Sequence, residues 1–147
     1  MLRPRIIPCL LISNGGLVKT VKFKSPKYVG DPINAVKIFN EKKADELIIL
    51  DIDATKKSIK LNFNLIKKLA AECRMPLCYG GGISTVEEAE MLVDIGVEKV
   101  AISSAVIENL SLLKKLVSVV GSQSVVVVLD LLKEKNFLSK KYLIQTK

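Results

Sequence analysis

The sequence predicts an α/β fold built on a parallel sheet, and three observations carry that reading. Short apolar runs rich in Val and Ile recur between segments of helical period, the alternation expected of β-α-β units. The runs are nearly continuous in apolar character, as strands covered on both faces require. The intervening helices carry recognisable starts, which fixes where each unit turns from strand to helix.

The predicted strands, in order, are RIIPCLL (5–11), DELIILD (45–51), PLCYG (76–80), KVAIS (99–103) and SVVVVLD (124–130). Asp31 followed by Pro32 supplies an N-cap and a proline at the first helical position for PINAVKIFNEKK. The segments NFNLIKKLAAEC (62–73) and NLSLLKKLVSVV (109–120) are amphipathic at 3.6-residue spacing. Ser84 with Glu87 forms a capping box for TVEEAEMLVDI, and Gly96 ends that helix. The first strand-to-helix connection, residues 12–30, is long for an α/β unit, and connections of that length are commonly functional. A lysine-rich tail, LLKEKNFLSKKYLIQTK, follows the fifth strand. Two architectures fit this order: an open doubly wound sheet, or part of a (β/α)₈ barrel.

Composition bounds the function. The chain has 147 residues, 49% apolar and 26% charged, which suits one soluble globular unit with a real core. No apolar run approaches the roughly 18–20 residues needed to cross a bilayer, and MLRPRIIPCLL lacks the small-residue cleavage site of a secretion signal. A cytoplasmic protein is the expectation, with no membrane partner. Three cysteines form no CxxC pair, and Cys9 and Cys78 read as small core residues. Histidine is absent, which removes the usual general base and every Ser-His or Cys-His arrangement. Acid–base work would fall to Asp, Glu, Lys or Tyr, and the reading calls for no cofactor and no metal. The net charge of +8 fits an anionic partner or simply solvated lysine-rich helix faces.

In either architecture the site lies at the carboxyl ends of the strands. Those ends read Leu11, Asp51, Gly80-Gly81-Gly82, Ser103-Ser104 and Asp130. A glycine run opening onto a capped helix brings backbone N–H groups close to an anion, or it serves as a tight turn. The two serines add hydroxyls beside it and favour a phosphate site. Asp51 and Asp130 are candidate carboxylates or loop caps, and Asp53 is the weaker candidate beside them. Lys19 lies in the long first connection with Lys22, Lys24 and Lys27. That stretch, GGLVKTVKFKSPKYVG, alternates Lys with apolar residues as a β-hairpin arm would, either folding over an anionic ligand or standing as a solvated ribbon.

Together RIIPCL, GDPINA, DELIILDI, YGGGI, EKVAISSA and GSQSVVVVLD resemble the cyclase subunit of imidazole glycerol phosphate synthase, from residue 2 to about residue 145. The resemblance implies the amino-terminal portion of a (β/α)₈ TIM barrel, strands 1–5 and helices 1–4, which takes ammonia from a glutaminase subunit under the barrel floor. It implies delivery along the barrel axis to a phosphorylated substrate. By position it makes Asp130 a catalytic aspartate, Lys19 the lysine of a mobile loop and Asp51 a substrate-side carboxylate. Gly81, Gly82, Ser103 and Ser104 fall on a phosphate site, where the family usually has Asn-Thr in place of the two serines. Arg5, Glu46 and Lys99 match charged residues around the ammonia entrance, and Glu98 stands at the partner interface. Each of those four lies at the amino end of a predicted strand, where a barrel has no chemistry. A buried cluster of charge there is costly unless mutually paired.

Two departures from the family pattern shape the functional expectation. Leu11 stands where the resemblance requires the second catalytic aspartate, and losing one general catalyst costs on the order of 10²–10⁴ in rate. With GLVKTVKF and KYVGDPINA, Leu11 resembles a branch that works with a glutaminase-like subunit and a sugar amidotransferase, adding an acetamidino group to nucleotide sugars of surface polysaccharide. There the barrel need only deliver ammonia. The alternatives are the histidine-pathway cyclase itself and an inactive remnant or assembly module.

The second departure is length: a complete barrel of this type runs to about 250 residues, so the expectation is one truncated domain, 1–147. Its tail begins a hairpin, and open edges at the first and fifth strands invite self-association. Nucleic acid is not expected, because the strands lack a platform of surface aromatics.

Overall fold

In the computed structural model, which describes residues 3–21, 24–54, 60–136 and 139–144, the chain begins its sheet at Cys9–Ser13 (β1). It then turns through Asn14 and Gly15, both at positive φ, into Gly16–Val21 (β2). A two-residue turn with positive φ matches the twist of the flanking strands, and Asn-Gly supplies it at low cost. Lys24–Gly30 (β3) completes an antiparallel arm, as the alternation of Lys with apolar residues predicts; Lys22 lies outside the described residues.

From Gly30 the chain enters Pro32–Glu41 (α1), where Asp31 caps the helix by accepting from the Asn34 N–H at 2.9 Å. Leu47–Asp51 (β4), Phe63–Glu72 (α2), Leu77–Gly80 (β5), Val86–Asp94 (α3) and Lys99–Ile102 (β6) follow. The capping box of α3 sits one residue later than the sequence predicts. Thr85 and Glu88 form it, while the Ser84 N–H and hydroxyl also donate to the Glu88 carboxylate. A short helix not predicted from the sequence, Ser104–Glu108 (α4), precedes Leu110–Val120 (α5). Val125–Val127 (β7) is shorter than predicted, and Leu131–Asn136 (β8) pairs with Ser139–Ile144 (β9) as a separate hairpin.

The sheet order is β3-β2-β1-β4-β5-β6-β7, and every pair from β1 to β7 is parallel. Parallel strands that neighbour one another in chain order have no point where the winding reverses. A doubly wound sheet needs such a reversal. Right-handed crossovers then put every connecting helix on the same face of the sheet, which is how a barrel wall is built.

The packing follows that geometry. Ile12, Leu47, Ile49, Leu77, Tyr79, Val100 and Ile102 form one core with Val36, Ile66, Leu69, Ala89, Leu92 and Leu116 of the helices. On the opposite alternation set, Leu11, Ile48, Leu50 and Val126 are only half-buried. Cys9 belongs to that set and is exposed rather than a core residue, whereas Cys78 is buried as expected. The open edge expected at the first strand is covered by β2 over Leu11–Ser13 but not over Cys9 and Leu10, which pair with β4 alone among the described strands. The edge expected at the fifth strand is present at β7, the last strand of the sheet. Among the described residues, no helix is long and apolar enough to cross a membrane.

Candidate functional site

Three charged side chains converge at the amino ends of the parallel strands. Glu46 immediately precedes β4, Lys99 opens β6, and Arg5 lies in the segment leading to β1. One carboxylate oxygen, Glu46 Oε1, accepts from Arg5 Nη1 at 2.5 Å and from Lys99 Nζ at 2.8 Å. The Arg5 segment is held in place from Asp45, whose carboxylate accepts from the Ile6 N–H at 2.7 Å while its own N–H donates to the Ile6 carbonyl. Sequence reasoning missed Asp45, since nothing in the strand pattern distinguishes it from a solvated strand end.

Glu46 is only 7% exposed, so its charge depends on these partners. The Lys99 hydrogen bond, against the opposing effect of burial, holds its carboxyl below the usual range, and the charges of Lys99 and Arg5 add to that. Arg5 remains largely open to water. The cluster is therefore paired on one side and solvated on the other, unlike an ion pair in a dry core. Cys78, in register with Lys99, has its thiol pushed up to about 11 by burial in spite of the Lys99 charge. It is neutral at physiological pH. Glu98, beside this cluster in sequence, is exposed.

At the carboxyl ends the glycine turn is sterically enforced. Gly81 has φ +106°, and a Cβ there would run into the Asp51 carbonyl oxygen. Gly82 has φ +74°, and a Cβ there would lie 2.6 Å from the Ala54 side chain. The exits of β4 and β5 thus pack backbone to backbone. Asp51 Oδ1 accepts from the N–H groups of Asp53 at 2.9 Å and Ala54 at 3.2 Å, closing the turn after β4. One of its oxygens is committed to that turn, the capping role weighed for it from sequence. Burial, and after it the Asp51 charge, pushes the Tyr79 phenol well up, so Tyr79 stays neutral in the core.

Gly80 pairs with Ala101, so Gly82 and Ser103 follow two residues later at the exits of adjacent strands. Ser103 caps α4 without a hydrogen bond from its side chain, and Ser104 begins that helix. Lys19 is exposed on β2, with β1 standing between it and β4. Asp130 is half-buried and lies three residues beyond β7 rather than at its end. Leu11 is in register with Leu50 of β4 and Val18 of β2, an apolar setting. The glycine turn, Asp51 and Ser103 therefore share neighbouring strand exits, while Lys19 and Asp130 stand on flanking segments.

A mostly parallel sheet wound in one direction, with a charge cluster at its amino ends and a glycine turn at its carboxyl ends, defines an α/β protein whose winding is consistent with a barrel-type family. The profile of the family described as histidine biosynthesis protein matches residues 5–146, and the chain belongs to that family. A protein of Vibrio vulnificus provisionally named imidazole glycerol phosphate synthase subunit hisF3 is 60% identical over 140 residues, covering 95% of this chain and 54% of its own. The subunit provisionally named hisF2 of Pseudomonas aeruginosa is 58% identical over 130 residues, 88% of this chain and 52% of its own. The corresponding HisF protein of Leptospira borgpetersenii, also provisionally named, is 55% identical over 142 residues, 97% of this chain and 55% of its own. The chain spans about half the length of the curated relatives it matches.

Proposed function

We propose that the chain supplies the ammonia-entry end and the first phosphate site of a cyclase-type subunit of imidazole glycerol phosphate synthase. The observation that carries this reading is the Arg5–Glu46–Lys99 cluster, placed at the end of the sheet opposite the glycine turn. The names of relatives 55–60% identical over most of the chain support the same activity, and each calls its protein a subunit. In this reading a glutaminase partner docks under the strands' amino ends, near Glu98, and ammonia passes the charged cluster. A phosphorylated substrate lies at the other end, its phosphate against Gly81, Gly82, Ser103 and Ser104, with Lys19 approaching from the arm. Asp130 is the acid–base group, and Asp51 shapes the β4 exit against the glycine turn.

Leu11 favours a second reading, delivery of ammonia to another acceptor such as a nucleotide sugar with a sugar amidotransferase as partner; the relatives' names lend that acceptor no support. The two readings separate in a histidine auxotroph that expresses this chain together with the remaining half of a relative's subunit. Growth with the chain as it stands supports the cyclase. Growth only with Leu11→Asp assigns the natural chain to ammonia delivery. No growth with either, although both halves co-purify with the glutaminase, contradicts the histidine reading. Lys99→Glu is expected to weaken co-purification or ammonia-dependent turnover, and an unaffected complex with full activity counts against the gate.

A further inference from the structure

We infer that Asp53 is a positioning residue that anchors the lysine-bearing β2–β3 arm to the exit of β4. Ser13, the last residue of β1, is buried, and its hydroxyl donates to Asp53 Oδ2 at 2.8 Å. The Asn14 N–H donates to the same oxygen at 3.0 Å. These two bonds hold the turn from which the arm departs. Asp53 is itself held from the other side, since its N–H donates to Asp51 Oδ1 and the neighbouring Ile52 N–H donates to the Ile12 carbonyl. A continuous chain of bonds therefore runs from the root of the arm to the carboxylate that shapes the β4 exit.

The arm needs such an anchor. Its outer strand β3 is exposed over Lys24–Val29, and its register places Lys19 directly opposite Lys27, a like-charge pair that weakens an antiparallel ribbon. Irregularities in the β2–β3 pairing fall on both sides of that pair. β2 is paired to β1 only over Gly16–Val18, so the direction of the arm beyond Val18 is set close to its root. A carboxylate close to a phosphate site would ordinarily oppose anion binding; engaged with Ser13 and Asn14, it instead fixes where the Lys19 charge points. This step rests on the reading that the arm and the glycine turn serve a phosphorylated substrate.

The test uses the 147-residue chain with Asp53→Ala, Asp53→Asn, Ser13→Ala and the Ser13→Ala/Asp53→Ala pair. Amide exchange is followed by residue, and inorganic phosphate is titrated as the probe. Both Asp53 variants remove the charge, but asparagine keeps an oxygen that accepts the same two bonds, so their difference isolates positioning. Asp53→Ala is expected to lower protection over residues 17–21 about tenfold, with Ile49, Tyr79 and Val100 within twofold of the parent. Asp53→Asn is expected to restore most of it, and Ser13→Ala to add nothing in the Asp53→Ala background. Phosphate binding is expected to be several-fold weaker in Asp53→Ala than in Asp53→Asn. Equal behaviour of the alanine and asparagine variants overturns the proposal, as does a uniform loss of protection across the sheet. If the parent binds no phosphate while the exchange pattern holds, the anchor stands and the phosphate-site reading falls.

Discussion

Glu46 ties three distant parts of the chain together, because one of its oxygens serves two cations drawn from 41 residues before it and 53 residues after it. Replacing it with glutamine keeps the shape but removes the charge that both partners need, and charge-assisted bonds contribute about 1.5–3 kcal/mol each when made well. Arg5 is largely solvated and is rescued by water, so a loss of about 2 kcal/mol in total is expected for Glu46→Gln, read from urea unfolding. The pH dependence follows from the direction of the shift. The folded-state pKa lies below the ordinary value of 4.5, so the unfolded chain takes up the proton first on acidification. The contribution of Glu46 is complete above about pH 4.5 and is lost as pH falls through the folded-state value. Parent and Glu46→Gln stabilities should therefore converge on acidification below pH 4.5, and a constant gap from pH 7 to pH 3 would contradict the assignment. In sequence, Arg5, Glu46 and Lys99 were recognisable by resemblance and by their positions at strand starts. That they share a single oxygen was not readable there, because the contact depends on the spacing of β4, β5 and β6.

At the scale of elements, local chemistry was the most legible part of the chain. Asp31 with Pro32 starts α1 where the sequence places it, since a cap needs only residues within one turn. The α3 cap shows the limit of such reasoning. Ser84-Thr85 followed by Glu87-Glu88 admits two boxes of identical spacing, and the fold uses Thr85 with Glu88. Thr85→Ala is expected to cost about 1 kcal/mol, whereas Ser84→Ala, which removes only an exposed second bond to the same carboxylate, should cost about 0.5 kcal/mol or less. Thermal or urea midpoints of the two variants decide it, and the reverse order would move the cap back by one residue. The short helix α4 escaped the sequence reading because five residues offer too little periodicity to separate from a loop. β7 came out shorter than its apolar run because strand length is set by the neighbour it pairs with, here the four residues of β6.

For the whole molecule, the two ends of the sheet differ in how they meet solvent. β3 carries Lys24, Pro26 and Lys27 on an exposed edge, the kind of sequence that discourages pairing with another chain. β7 is Val125-Val126-Val127, uncharged and without proline, and Val127 is 41% exposed. Its inward bond is made by the Val128 N–H to the Ile102 carbonyl at 2.9 Å, so by alternation the Val127 N–H points outward. The 147-residue chain taken by itself is expected to self-associate through that edge. Val127→Pro removes the outward donor without touching the ladder to β6 and should lower the apparent mass in light scattering at high concentration. An unchanged mass distribution would exclude edge pairing at β7. The sequence by itself determined the alternation of the main strands and helices, the α1 cap and the family pattern, because each rests on residues close together in the chain. Only the tertiary structure decided that the sheet winds in one direction, that Cys9 faces outward, that β2 covers the β1 edge over Leu11–Ser13 and that Asp53 reaches Ser13. Those outcomes depend on which strand lies beside which, and on which alternation face the helices cover, and neither is encoded in any one segment.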